Sequence, residues 1–193
     1  NQYEHYINHV SVAPDGKHFM FLHIYVLQGQ KGWKTVLYVS NIEGTQLTAL
    51  EKEDRVSHYC WVDNEKLMVT CRKEDGIEYY CIFNIKTGKK KILLIPELNV
   101  DGHPGRIKDT EMFLTDTYPH ENSIQELRVY KEADECARTI ATFYHDYRLR
   151  GEKRCDLHPV ISNNANYISV DTTYHNKKRS VVVLEWIGEE LNG

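Results

Sequence analysis

The sequence contains no apolar run approaching the roughly 20 residues that a membrane-spanning helix needs, and no charged-then-apolar start of the kind a signal peptide shows. We therefore expect no membrane partner and a cytoplasmic location. A concentrated excess of basic charge is also missing. The 24 basic and 28 acidic side chains leave a net charge of −4 with histidine neutral. That balance argues against a dedicated nucleic-acid binder, which normally carries a basic face. Alanine is scarce, and phenylalanine (5) is far outnumbered by tyrosine (13). Both biases favour strands over helices. The five cysteines, Cys60, Cys71, Cys81, Cys136 and Cys155, are odd in number. No pair has the spacing of a zinc knuckle or a redox motif. Reduced thiols in strands are expected, because disulfide scaffolds belong to chains too small to build a core. No phosphate-cradling glycine loop, nucleophile elbow or EF-hand pattern is present.

What is present is enough for a core: 193 residues, 41% of them hydrophobic. That length suits one medium domain or two small ones. The chain begins Asn1-Gln2-Tyr3 without methionine, which reads as a fragment or a processed chain. Four segments superpose without a gap. They start at His9, His58, His103 and His158. Each has a histidine, a short apolar strand, a polar turn and a second apolar strand. The second strands are His18–Leu22, Leu67–Cys71, Met112–Asp116 and Tyr167–Asp171. A third strand follows at Thr35–Val39, Glu78–Phe83, Gln125–Tyr130 and Ser180–Trp186. Hairpin turns at Asn41–Gly44 and Asn84–Gly88 lead to a fourth at Gln46–Leu50 and Lys90–Ile95, with Ala137–Tyr144 in the third unit. The last repeat runs out after Trp186, so its outer strand is missing or supplied from elsewhere. Four antiparallel strands every 40–50 residues or so is the period of a β-propeller blade. Helical solenoids would need apolar stripes at 3.6-residue spacing, and none is visible. Two stacked sandwich domains are the competing architecture. We expect an all-β propeller domain or fragment over residues 1–193, with blades at about 5–52, 53–97, 98–146 and 147–193.

The stretch Ala13-Pro14-Asp15-Gly16-Lys17, in strand–turn–strand register, resembles the repeat of TolB-like propellers. Two stretches are narrower: Asp101-Gly102-His103-Pro104, and Arg154-Cys155-Asp156-Leu157-His158-Pro159 leading to Asp171-Thr172-Thr173-Tyr174-His175. These resemble the oligogalacturonate lyase family of bacterial propeller proteins. The resemblance implies a seven-bladed propeller acting on short uronic-acid-containing sugars by β-elimination. It also implies a divalent metal, typically manganese, held by histidines near the channel. This chain supplies about four blades, and the fourth has Asn163-Asn164-Ala165 where the repeat usually reads proline-aspartate-glycine. The family's remaining metal ligand and its base find no match here. The alternative from another class is a non-catalytic propeller that binds a glycan or a protein partner. A homo-oligomer, or the missing blades of a longer chain, would complete either one.

In a propeller the first strand of each blade lines the central channel, so residues in one register face one ring. His9, His58, His103 and His158 share such a register. Neutral imidazoles converging on one point are what a divalent ion needs. Blade packing through backbone hydrogen bonds is the competing explanation. His103 and His158, each followed by proline, are the better ligands; His9 and His58 are second choices. Asp101 and Asp156, two residues upstream, are expected to hold the second ring nitrogens. Asp116 and Asp171, at the far ends of the adjoining strands, are less suited on distance. The polar stretch Tyr144–Gly151 reads as a loop near the same face. There His145 could act as general base with Arg150 beside it, while Arg148 and Arg154 could hold a uronate carboxylate through paired donors. The default for that stretch is an ordinary solvated loop. His120, in Tyr118–Asn122, should be exposed. Lys89-Lys90-Lys91 and Lys177-Lys178-Arg179 read as solvated turn charges, with a substrate carboxylate as the sharper alternative for the second cluster. Trp33, Trp61 and Trp186 are expected to pack in the core rather than stack a sugar.

Overall fold

In the computed structural model, which describes residues 3–27, 32–120, 122–174 and 178–187, each strand pairs antiparallel with its neighbours. The first sheet runs β1 (Tyr3–Val12), β2 (His18–Leu27), β3 (Lys34–Asn41), β4 (Thr48–Glu51) in that order. The second runs β5 (Arg55–Trp61), β6 (Lys66–Arg72), β7 (Glu78–Asn84), β8 (Lys90–Ile92). The third runs β9 (Gly105–Arg106), β10 (Met112–Asp116), β11 (Ile124–Lys131), β12 (Arg138–Tyr144). The fourth has three strands among the described residues: β13 (Val160–Ile161), β14 (Tyr167–Thr172), β15 (Ser180–Glu185). This meandering order within each sheet is that of propeller blades. Among the described residues no helix is long and apolar enough to cross a membrane.

The chain divides into two units, Asn1–Leu93 and Leu94–Gly193, with two sheets in each. Each unit builds its own core from facing strands. In the first, Met20, Leu22, Leu37 and Val39 pack against Val56, Leu67, Val69 and Phe83. In the second, Leu114, Leu127 and Val129 pack against Leu157, Ile168 and Val170. Alternate residues of β3 are buried, as expected for a sheet that turns one face to its neighbour. Trp33 and Trp61 pack on the first core and Trp186 on the second, so all three lie where core packing puts them.

The turns show how the repeat is written in backbone geometry. Gly16 closes the first turn with φ +72 and donates to the Ala13 carbonyl at 2.9 Å. At the matching place in the fourth repeat Ala165 takes φ +56 and donates to Ser162 at 2.8 Å. The turn therefore survives the loss of glycine, at a cost of about 1 kcal/mol for a side chain in the left-handed region. Asn41 and Asn84 use their side-chain carbonyls to accept the N–H groups of Thr45 and Thr87, which folds each chain back toward its outer strand.

One charge expected at a solvated turn is ion-paired instead. Lys90 lies on β8 with its side chain 25% exposed, its ammonium 2.5 Å from Glu51 and 3.5 Å from Asp54. It also donates to the Tyr79 hydroxyl at 2.6 Å. Glu51 in turn accepts the N–H groups of Lys52, Glu53 and Asp54, so one carboxylate organises the whole link from β4 to β5. A cation returning from β8 is what a buried carboxylate requires. All five cysteines are unbridged, with the Cys71 and Cys81 sulfurs 3.7 Å apart.

Candidate metal centre

His103 and His158 sit just ahead of β9 and β13. Each is followed by a proline, which has no N–H to give a ladder, so pairing begins only beyond it. The histidines thus lie on lead-in segments rather than in strands. His158 adopts φ +41, a region that non-glycine residues seldom occupy. Asp116, the last residue of β10 and 1% exposed, explains how both are held. Its carboxylate accepts the His103 N–H at 2.7 Å and the His158 N–H at 3.0 Å. It also accepts from His103 Nδ1 at 2.9 and 3.0 Å. Burial works against its charge. The His103 side-chain bond and the two backbone donors outweigh that and hold the carboxyl below the usual carboxylate range.

This corrects the expectation on two counts. Asp116, expected to be less suited on distance, is the acceptor behind His103 Nδ1. Separation along the chain misled. In an antiparallel hairpin the end of the second strand returns beside the start of the first, so 13 residues of sequence close to hydrogen-bond distance. Asp156 instead presents its carboxylate together with the imidazoles. The ligand atoms of His103, Asp156 and His158 all lie within 4.8 Å of one another, and the two rings are 3.9 Å apart between centroids. Asp101 accepts the Gly102 N–H at 3.0 Å.

Two imidazoles and a carboxylate are a donor set suited to a first-row divalent ion such as manganese. Asp116 fixes the His103 tautomer with the proton on Nδ1, leaving Nε2 as the lone-pair nitrogen. Ligands at ~2.1 Å from one ion stand about 3.4 Å apart in a tetrahedron, and the three ligand atoms here lie within 4.8 Å of one another. The residues present therefore fit such a group.

Around this cluster the second unit is polar and concave. Arg154 grips Asp156 with two donors at 2.5 and 2.8 Å, and its guanidinium lies 4.2 Å from the centroid of Tyr118. Tyr118 meets His103 edge-on at 5.7 Å. Burial pushes the Tyr118 hydroxyl up, with Asp101 and Asp156 adding to it, so it stays a neutral phenol. A concavity of about 540 Å³ is lined by Arg154, Asp156, His158, Asp171 and Arg179 among others. A second, of about 400 Å³, holds Tyr118, His145, Tyr147, Arg150 and Arg154.

The Tyr144–Gly151 stretch is buried at His145 and Asp146 and exposed from Tyr147 to Arg148 and again at Arg150 and Gly151. His145 is 2% exposed and Asp146 3%. His145 donates its N–H to the Ser123 carbonyl at 2.7 Å, and its Nε2 accepts the Cys155 N–H at 3.3 Å. Burial lowers its pKa, which keeps the ring neutral. Arg148 is exposed and folded onto Asp146, with Nε at 2.9 Å. Arg150, also exposed, donates to the Tyr147 carbonyl at 3.1 Å. Arg179 donates to the Lys153 and Arg154 carbonyls, so it braces the segment before Asp156. His120 is exposed, with Nε2 3.5 Å from Glu126. Glu121, His175 and Lys177 lie outside the described residues.

In the first unit, His9 and His58 meet edge-on with centroids 6.2 Å apart. The His9 N–H goes to Asn8 Oδ1 at 2.8 Å and the His58 N–H to Thr70 Oγ1 at 3.0 Å. The places matching Asp116 in the repeat are Leu22 and Cys71, both buried and neither a carboxylate. Among the described residues, the metal-capable group is the one in the second unit.

No family model matches the chain, and no curated protein matches it. Solved structures do. An oligogalacturonate lyase in complex with manganese superposes over 94% of this chain and 49% of its own, with TM-score 0.70 and 16% identity. TolB from Acinetobacter baumannii superposes over 94% of this chain and 41% of its own, with TM-score 0.64 and 11% identity. The β-propeller domain of the Trilobed protease from Pyrococcus furiosus covers 94% and 56%, with TM-score 0.60 and 10% identity. The chain thus has the TolB-like β-propeller fold, and it spans about half the length of the first of these structures.

Proposed function

We propose that the second unit binds a divalent metal, manganese by preference, on His103, His158 and Asp156 and presents it to an acidic oligosaccharide. The observation that supports this most is the convergence of those three ligand atoms in front of a buried carboxylate. The lyase that superposes on the chain was solved with manganese, which agrees with the choice of ion. When bound, the ion supplies a Lewis-acid centre that neutralises a ligand carboxylate. The rest falls to the chain's own residues. Asp116 holds the His103 proton on Nδ1 and orients the ring. Arg154 turns Asp156 toward the histidines. His158 and Asp156 line the 540 Å³ concavity, which has room for a saccharide unit. Arg154, on the wall of that concavity, is the cation nearest to hand for a uronate; Arg150 lines the second concavity with it, Arg148 is folded onto Asp146, and His145 is the candidate base.

One observation favours binding over cleavage. The His145 ring is buried, with Nε2 engaged by the Cys155 N–H, so its lone pair is not offered to a substrate proton. The reading we favour is accordingly a metal-dependent glycan-binding propeller, with β-elimination as the stronger claim. Elemental analysis of the purified chain after manganese loading and desalting should find one equivalent. His103→Ala combined with His158→Ala should remove it. A metal-free wild type sinks the site. Incubation with galacturonate oligomers tests the stronger claim, since elimination gives an unsaturated product that absorbs in the ultraviolet. Saturable oligomer binding without that absorbance leaves the binding module.

A further inference from the structure

The first unit carries a pocket of about 260 Å³ far along the chain from the histidine cluster. It is built from the start of β3 (Trp33, Lys34, Thr35), the link from β4 to β5 (Lys52, Glu53), Arg55 at the head of β5, and the β6–β7 turn (Arg72, Lys73, Glu74). Five of these residues are cationic and two anionic, in a chain whose net charge is −4.

Three observations make this more than a basic patch. Arg55 and Arg72 are direct cross-strand partners on β5 and β6. Like charges placed opposite one another are unfavourable in a sheet unless something between them is negative. The Glu78 carboxylate lies 3.6 Å from Arg72 and answers that charge; the acids on the pocket wall are Glu53 and Glu74, the latter 3.5 Å from Lys34. Arg55 Nε is buried and has no hydrogen-bond partner. A buried donor left unmade is a standing cost, and it marks Arg55 as a side chain the fold does not fully satisfy. Finally, the Arg55 guanidinium lies over Trp33, 4.5 Å from the ring centroid. The indole holds the fork in one orientation before any ligand arrives, which lowers the ordering cost of binding. The wall itself is fixed by Thr35, whose hydroxyl accepts the Val56 N–H at 2.7 Å, and by Glu51, whose carboxylate accepts the N–H groups of Lys52 and Glu53.

We propose that this pocket is an oxyanion site in which Arg55, braced on Trp33, receives a carboxylate, phosphate or sulfate group of a small ligand. A guanidinium fork matches all three geometries, and the pocket volume admits one group the size of a single acidic sugar. Lys52 and Lys73 supply rim charge, while Lys34 is drawn toward Glu74 at 3.5 Å. The site is independent of the metal reading and needs no metal.

Inorganic phosphate, sulfate and galacturonate, each titrated into the metal-free full chain at low ionic strength, test it by calorimetry and tryptophan fluorescence. We expect saturable binding of at least one, with a fluorescence change that Trp33→Phe abolishes. The tightest of the three identifies the source of the anion. Arg55→Lys keeps the charge but loses the fork, and should weaken binding at least tenfold with an unchanged circular dichroism spectrum. Lys52→Gln, at an exposed position, is the second variant and should weaken binding several-fold and reduce its salt dependence. No saturable binding of any of the three anions overturns the proposal. So does wild-type affinity in both variants.

Discussion

The two units repeat one plan and spend their carboxylates differently. In the first, Glu51 and Asp54 face Lys90 and hold the link between two sheets. In the second, Asp116 and Asp156 stand behind and beside a histidine pair. The histidines themselves recur in both. What differs is the residue at the matching register of the second strand: Leu22 and Cys71 in one unit, Asp116 and Asp171 in the other. A hydroxyl, Thr70, receives the His58 N–H where a carboxylate receives that of His103. A shared register therefore does not make a site. A charge behind the register sets apart the pair that converges with Asp156.

The comparison can be broken most severely at the ligands. His103→Ala with His158→Ala should lower manganese affinity by two orders of magnitude or more, while His9→Ala with His58→Ala should leave it within about twofold, by calorimetry. Equal losses in the two double variants would show that the units are not distinct. Next in size is Lys90→Met, which strands the buried Glu51. Urea unfolding should show the chain destabilised by about 3 kcal/mol, with manganese binding untouched. Asp116→Asn follows. It keeps the shape but weakens the hold on the His103 proton, and manganese affinity should drop 10–100-fold. Thr70→Val, its counterpart in the first unit, should move stability by about 1 kcal/mol and affinity not at all.

The smallest expected effect concerns acid. Burial acts to raise the Glu126 pKa, but hydrogen bonds from Arg128 and Thr139 outweigh it and hold the carboxyl below its usual range. A depressed folded-state pKa contributes stability that is complete above the unfolded value of about 4.3 and is lost as pH falls through the folded one. Glu126→Gln should therefore flatten the fall in unfolding midpoint below that pH. The change should stay under about 1 kcal/mol, since the side chain remains partly hydrated.

The strand count and turns were legible in the sequence because blade repeats are local. A polar turn between two apolar strands announces itself within 15 residues or so. His103 and His158 were legible for the same reason, each carrying its proline. The partners were not. Asp116 reaches His158 across 42 residues and Lys90 reaches Glu51 across 39. Such contacts are set by strand order and blade packing, which no local window contains. The burial of His145 was missed because a polar run reads as solvated, whereas its N–H and ring both answer backbone groups of neighbouring strands and loops.

The left-handed backbone at His158 gives the molecule a conflict of interest. Glycine would suit φ +41 better, so the imidazole occupies a place that stability alone would assign to another residue. His158→Gly should raise the melting temperature or leave it level while metal affinity falls. A packing histidine would lose on stability as well. The first outcome would mark a position where robustness and chemistry pull in opposite directions.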